Sequence, residues 1–184
     1  MRRTHHLFAD VKIYRQGRLL RAEYGIPNRW HDEGELYILS AIFATGYADY
    51  GAALGNLYAG LDNRAVLAEL DTLADLVNED PTVPQPGVGY ARATLSTAGT
   101  GLAGQPWVLS QPVAAWRATS QTHTFTAGGG WLEVRNVFVC THATAVASGA
   151  GQRLLGSLPL LHGPVSLLNG DHVDATFYAG ISEP

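Results

Sequence analysis

From residue 90 onward the apolar positions fall in short runs rich in Val, Thr, Phe and Trp, cut by glycine-rich turns at 99–104, 128–130 and 149–151. That spacing predicts about six strands, over 90–96, 113–119, 123–126, 131–141, 164–168 and 171–181, as in an antiparallel β-sandwich or a jelly-roll-like body. The last two runs also carry a register. A three-residue loop Leu168-Asn169-Gly170, with Gly170 in the left-handed region, pairs Leu167 with Asp171 and Val165 with Val173. Val173, Ala175, Phe177, Ala179 and Ile181 then share one face, and His172, Asp174, Thr176 and Tyr178 the other. A slip by one residue would turn the apolar set outward.

The first part of the chain reads differently. Residues 11–15 and 18–22 are short apolar-basic runs around Gln16-Gly17, a hairpin pattern that Ile26-Pro27 brings to an end. Two strands without a third are marginal in water, so residues 1–34 are expected to form an extended N-terminal arm that needs a surface to lie on. Residues 35–47 fit both a helical stripe and a strand, and helix is the preferred reading. Residues 56–61 form a short apolar run between glycines. Over 63–78, Val66, Leu70, Leu73 and Val77 follow at helical spacing behind Asp62 and Asn63, which predicts a helix stopped by Pro81. The expected organisation is therefore an arm, 1–34, and one mainly β domain, 35–184, with one or two short helices that include an insert at 63–78.

With 184 residues, 46% hydrophobic and 15% charged, the chain has enough material for one domain and needs neither metal nor disulfide to hold a core. Cys140 is the only cysteine, which excludes an internal disulfide and fits a reducing compartment. Charge is unevenly placed. Residues 1–35 carry a net +2 and the remainder a net −6. So acidic a body repels phosphate backbones, and no nucleic acid partner is expected for it. Lys12 is the only lysine, so neither a P-loop nor a Schiff-base lysine sits in the body. No window reaches about 18 consecutive apolar residues and no signal-peptide core follows Met1, which gives the expectation of a soluble protein without membrane partners.

Catalytic templates fail one by one. Gly149-Ala150-Gly151-Gln152-Arg153-Leu154 starts like a dinucleotide fingerprint but has Leu154 where the last glycine belongs. A G-x-S-x-G elbow is missing, and Ser157 reads as a turn residue. Cys140 and His142 share a face if the strand continues, without an adjacent carboxylate to orient the imidazole. His172 with Asp174, or the run His31-Asp32-Glu33, supplies at most half a metal site. Trp30, Trp107, Trp116 and Trp131 suit sugar stacking, core packing or a subunit contact equally. No catalytic, cofactor-binding or metal-ligating residue is assigned.

Several short elements recur in a fixed order: Asn56-Leu57-Tyr58-Ala59-Gly60-Leu61, then Gly89-Tyr90-Ala91-Arg92, a strand at 122–126, Gly130-Trp131 leading into 132–139, Leu154-Leu155-Gly156-Ser157-Leu158, and Gly170-Asp171-His172-Val173. In this order, over about residues 56–181, the chain resembles a family of small tailed-bacteriophage virion proteins of the tail-fibre-like type. The insert 63–78 and the basic stretch 1–30 depart from that family's pattern.

The resemblance implies a non-enzymatic structural protein without cofactors. It would be made in the host cytoplasm and built into a virion, packing against capsid or tail subunits and copies of itself as a decoration, cement or fibre-like component. A glycan-binding sandwich module for host recognition, resting on the tryptophans, is the alternative. A hydrolase assembled from distant residues stands third.

Overall fold

The computed structural model describes residues 4–27, 29–30, 34, 57–65, 67–76, 87–95, 106–111, 117–143 and 153–182. These residues form antiparallel sheets packed as a sandwich. The first sheet contains β1 (Thr4–Arg15), β2 (Arg18–Pro27), β6 (Trp107–Ser110), β7 (Arg117–Ser120), β8 (His123–Thr126) and β13 (His172–Ser182). Its order is β2-β1-β13-β7-β6, with β8 also pairing β13. The second has the order β3-β11-β10-β4-β5, built from β3 (Arg29–Trp30), β4 (Leu57–Asp62), β5 (Ala93–Leu95), β10 (Asn136–Cys140) and β11 (Leu154–Pro159). A two-stranded ribbon joins β9 (Trp131–Val134) to β12 (Val165–Leu167).

The segment expected as an arm is part of the body. β1 lies between β2 and β13, paired with β13 from Thr4↔Ser182 to Tyr14↔His172. The argument that a hairpin needs a third strand holds, but the third strand comes from the other end of the same chain. Alternation explains the placement: Leu7, Ala9, Val11 and Ile13 of β1 and Val173, Ala175 and Phe177 of β13 point into one buried cluster. The face division expected for β13 is thus observed at Val173, Ala175 and Phe177, with His172, Asp174, Thr176 and Tyr178 half-buried on the other side. The Gln16-Gly17 turn is present as well, both residues having positive φ (49° and 74°) as a type I′ hairpin requires.

The hairpin expected between 165 and 173 does not form. Gly170 does take positive φ (83°), and the Asp171 N–H donates to the Leu168 carbonyl at 3.0 Å. The strands on either side of this turn nevertheless belong to different sheets: Val165 pairs Val134 in the ribbon, whereas Val173 pairs Phe125. Bonds from Gly170 N–H to the Ala127 carbonyl and from Ala127 N–H to the Asp171 carbonyl, 2.8 and 2.9 Å, carry the chain from one sheet to the next.

The second sheet is covered on both faces. Every residue of β10 is buried, Val137 and Val139 against the first sheet, and Phe138 and Cys140 against Leu67, Leu73, Leu76 and Leu154. Those leucines belong to the stretch expected as a helix. Its described residues form loops and one 3-10 turn, Leu73–Asp75, and Leu70 of the expected apolar stripe is 78% exposed. Aspartates explain the difference. Asp62 accepts from Arg64 N–H (2.9 Å), Asp71 from Ala68 N–H (2.5 Å) and Asp75 from Thr72 N–H (2.8 Å), which closes local turns in place of helical bonds.

Strand limits also shift. The run 131–141 is two strands broken at Arg135, with Glu133 in the left-handed region (φ 52°). β6 and β11 were not expected, and Ser157, read as a turn residue, sits buried within β11. Residues 35–47 and 112–116 lie outside the described residues.

A Gln16→Asn substitution, which better suits the first position of a type I′ turn, should raise stability by about 0.5 kcal/mol in urea titration, whereas Gln16→Val should lower it.

Candidate interaction surface

The recurring sequence elements gather at one place and are used for packing. Gly87, Val88, Gly89 and Tyr90 make a turn closed by Tyr90 N–H on the Gly87 carbonyl (3.1 Å), with Gly89 at φ 79°. A Cβ on Gly89 would lie 3.1 Å from Gly128, so the two glycines let two loops touch. The Tyr90 hydroxyl receives the Leu61 N–H at 2.9 Å, satisfying a donor that β5 is too short to reach. The Tyr90 ring lies edge-on to Trp131 (5.9 Å between centroids), and the buried Trp131 indole donates to the Val88 carbonyl at 2.8 Å. Arg92 lies over the Phe138 ring (5.3 Å) and donates to the His142 carbonyl (2.8 Å).

Asp171 completes this end. Its side chain is 1% exposed and receives Arg15 Nε (3.0 Å), Gln16 N–H (3.3 Å) and Leu168 N–H (2.9 Å). Burial pushes its pKa up, but the bonds from Leu168, Arg15 and Gln16, with the Arg15 charge, outweigh that and hold the carboxyl below its ordinary 3.8. The Gly-Asp step thus fixes two turns at once.

The residues weighed for chemistry do not assemble a reactive group. β10 ends at Cys140, whose thiol donates to the His142 backbone carbonyl at 3.3 Å. His172 stacks on Tyr14 (4.6 Å, 15°), and Asp174 accepts from the Thr124 hydroxyl (2.6 Å), so both are engaged in cross-strand contacts. On the same face Tyr178 donates to Asp10 (2.7 Å). Burial and that carboxylate push the phenol up to about 12. Among the described residues no three His, Cys, Asp or Glu side chains gather as a metal ion would need. His31, Asp32, Glu33, Trp116, residues 149–152 and the Trp30 side chain lie outside the described residues. Of the tryptophans that are described, Trp131 is buried and Trp107 packs against the core, which leaves neither ring open for sugar stacking.

What the surface does offer is a strip along the β1–β2 hairpin. Glu23, buried on the inner side of β2, receives Leu161 N–H (2.5 Å) and His162 N–H (3.3 Å). Arg21 Nε approaches it to 2.9 Å as an ion pair without hydrogen-bond alignment. Arg21 also donates to the carbonyls of His162 (3.2 Å) and Gly163 (2.9 Å), and Arg15 to that of Ser166 (2.9 Å). Residues 161–168 therefore run beside the hairpin and bring Leu161 and Leu168 next to Leu19 and Leu20. All four leucines are at least half exposed. Arg18 is exposed at the turn, so the strip is apolar with a cationic end. Nothing in the sequence distinguished these leucines from Leu7, because burial is decided by distant partners.

No family model, curated protein or solved structure matches the chain.

Asp171→Asn should lower the melting temperature by several degrees at neutral pH. A carboxyl whose folded pKa is depressed gives its full contribution above about 3.8 and loses it as pH falls through the folded value. The gap between wild type and variant, followed by circular dichroism, should accordingly close in acid. Tyr90→Phe, which leaves the Leu61 N–H without its acceptor, should cost about 1–2 kcal/mol by the same measurement.

Proposed function

We propose that this chain is a non-enzymatic structural protein of a tailed-bacteriophage virion, made in the host cytoplasm and packed against capsid or tail subunits. The observation that carries the reading is the division of labour among its residues. The elements shared with the virion family are engaged in internal turns and ring contacts, and the exposed leucines collect on one strip beside the hairpin. A patch of this kind on a rigid sheet suits contact with another protein surface.

Since residues 4–27 are strands of the body, the packing role falls to this surface and not to a reaching arm. The glycan-binding alternative has less support, because Trp131 and Trp107 are directed to the core.

The test is mass spectrometry of gradient-purified particles of the phage that encodes the chain. The chain should be present at a fixed ratio to the major shell protein. Abundant chain in infected cells together with its absence from purified particles would overturn the reading.

A further inference from the structure

We propose that the hairpin strip of one copy docks on the turn around Leu70 of a second copy of this chain, head to tail. This names the neighbour in the packing role above and rests on that reading.

The acceptor surface is a small preformed knob. Ala68, Glu69, Leu70 and Asp71 make a turn closed by Asp71 N–H on the Ala68 carbonyl (3.0 Å), and the Asp71 carboxylate returns to Ala68 N–H (2.5 Å). Arg64 braces the segment through the Asp75 carbonyl (2.7 Å), and Leu67, Leu73 and Leu76 anchor it on Phe138, Cys140 and Leu154. So fixed a turn loses little freedom on binding. At its corner Leu70 is 78% exposed, beside the exposed Glu69. The donor strip offers the complement: Leu19, Leu20, Leu161 and Leu168, at 54%, 50%, 55% and 55% exposure, beside the exposed Arg18.

Charge selects a second copy as the occupant. Residues 1–35 hold a net +2 and the rest of the chain a net −6, so each molecule carries both halves of an attractive pair. The halves cannot meet within one molecule. The hairpin belongs to the first sheet, whereas the knob lies on the face of the second sheet turned away from it. Contact between two different patches is heterologous, and its repetition gives a ring or an open filament.

Sedimentation velocity of the full chain over a range of protein and salt concentrations tests this. Wild type should self-associate, less so in high salt. Arg18→Glu and Glu69→Arg should each weaken association about 5-fold or more, whereas their equimolar mixture, and the doubly substituted chain, should recover it. Leu70→Ser should weaken it without recovery by either charge change. Both charged positions are exposed, and unchanged melting temperatures verify folding.

A monomer under all conditions overturns the head-to-tail contact, as does an Arg18→Glu effect that Glu69→Arg neither shares nor rescues. Mass spectrometry of particles reports on the virion role separately, so either reading can fail while the other stands.

Discussion

The antiparallel ladder between β1 and β13 is the constraint on which the rest depends. It joins the start of the described chain to its end, from Thr4↔Ser182 to Tyr14↔His172, and places one wall of the core between them. β2 has β1 as its pairing partner, while β7 and β8 both pair β13, so the first sheet exists only once these two strands meet. Pairing across so long a stretch of sequence must close a large loop before it is rewarded, a feature of slow-folding topologies.

Buried carboxylates then fix the loops to this ladder. Asp171 ties the β1–β2 turn to the turn preceding β13, and Glu23 ties residues 161 and 162 to β2. Each is charged and nearly inaccessible, which is tolerable because N–H donors and an arginine surround it. The exposed leucines are consequently held on a stiff frame. Rigidity of that sort is what a packing subunit needs, and an enzyme that must close around a substrate needs less of it.

Local features were readable in the sequence where the physics is local. The Gln16-Gly17 turn, the left-handed Gly170 and the alternation of β13 follow from backbone freedom and a period of two. Expectations failed where a distant partner decides. The arm looked unsupported because nothing in residues 1–34 announces that β13 will cover it, and Val165 was paired with Val173 because the ribbon partner Val134 is 31 positions away. At 63–78 the apolar spacing favoured a helix, yet three aspartates close turns instead and select Leu67, Leu73 and Leu76 for burial. For the surface strip the sequence gave only composition. Leu19 and Leu7 have the same hydropathy, and only the sheet order separates the exposed one from the buried one.

The pairing of Thr4 with Ser182 also sets how the molecule bears load. Ladder bonds run across the strands, so tension applied through these two neighbouring ends peels the bonds open one after another, as a zipper opens. Tension applied along β1, between its first residue and the hairpin turn, loads many bonds in shear together. The fold is thus mechanically compliant at its ends and resistant along the hairpin, and a neighbour that transmits force through it does so with least risk of unravelling by gripping the hairpin.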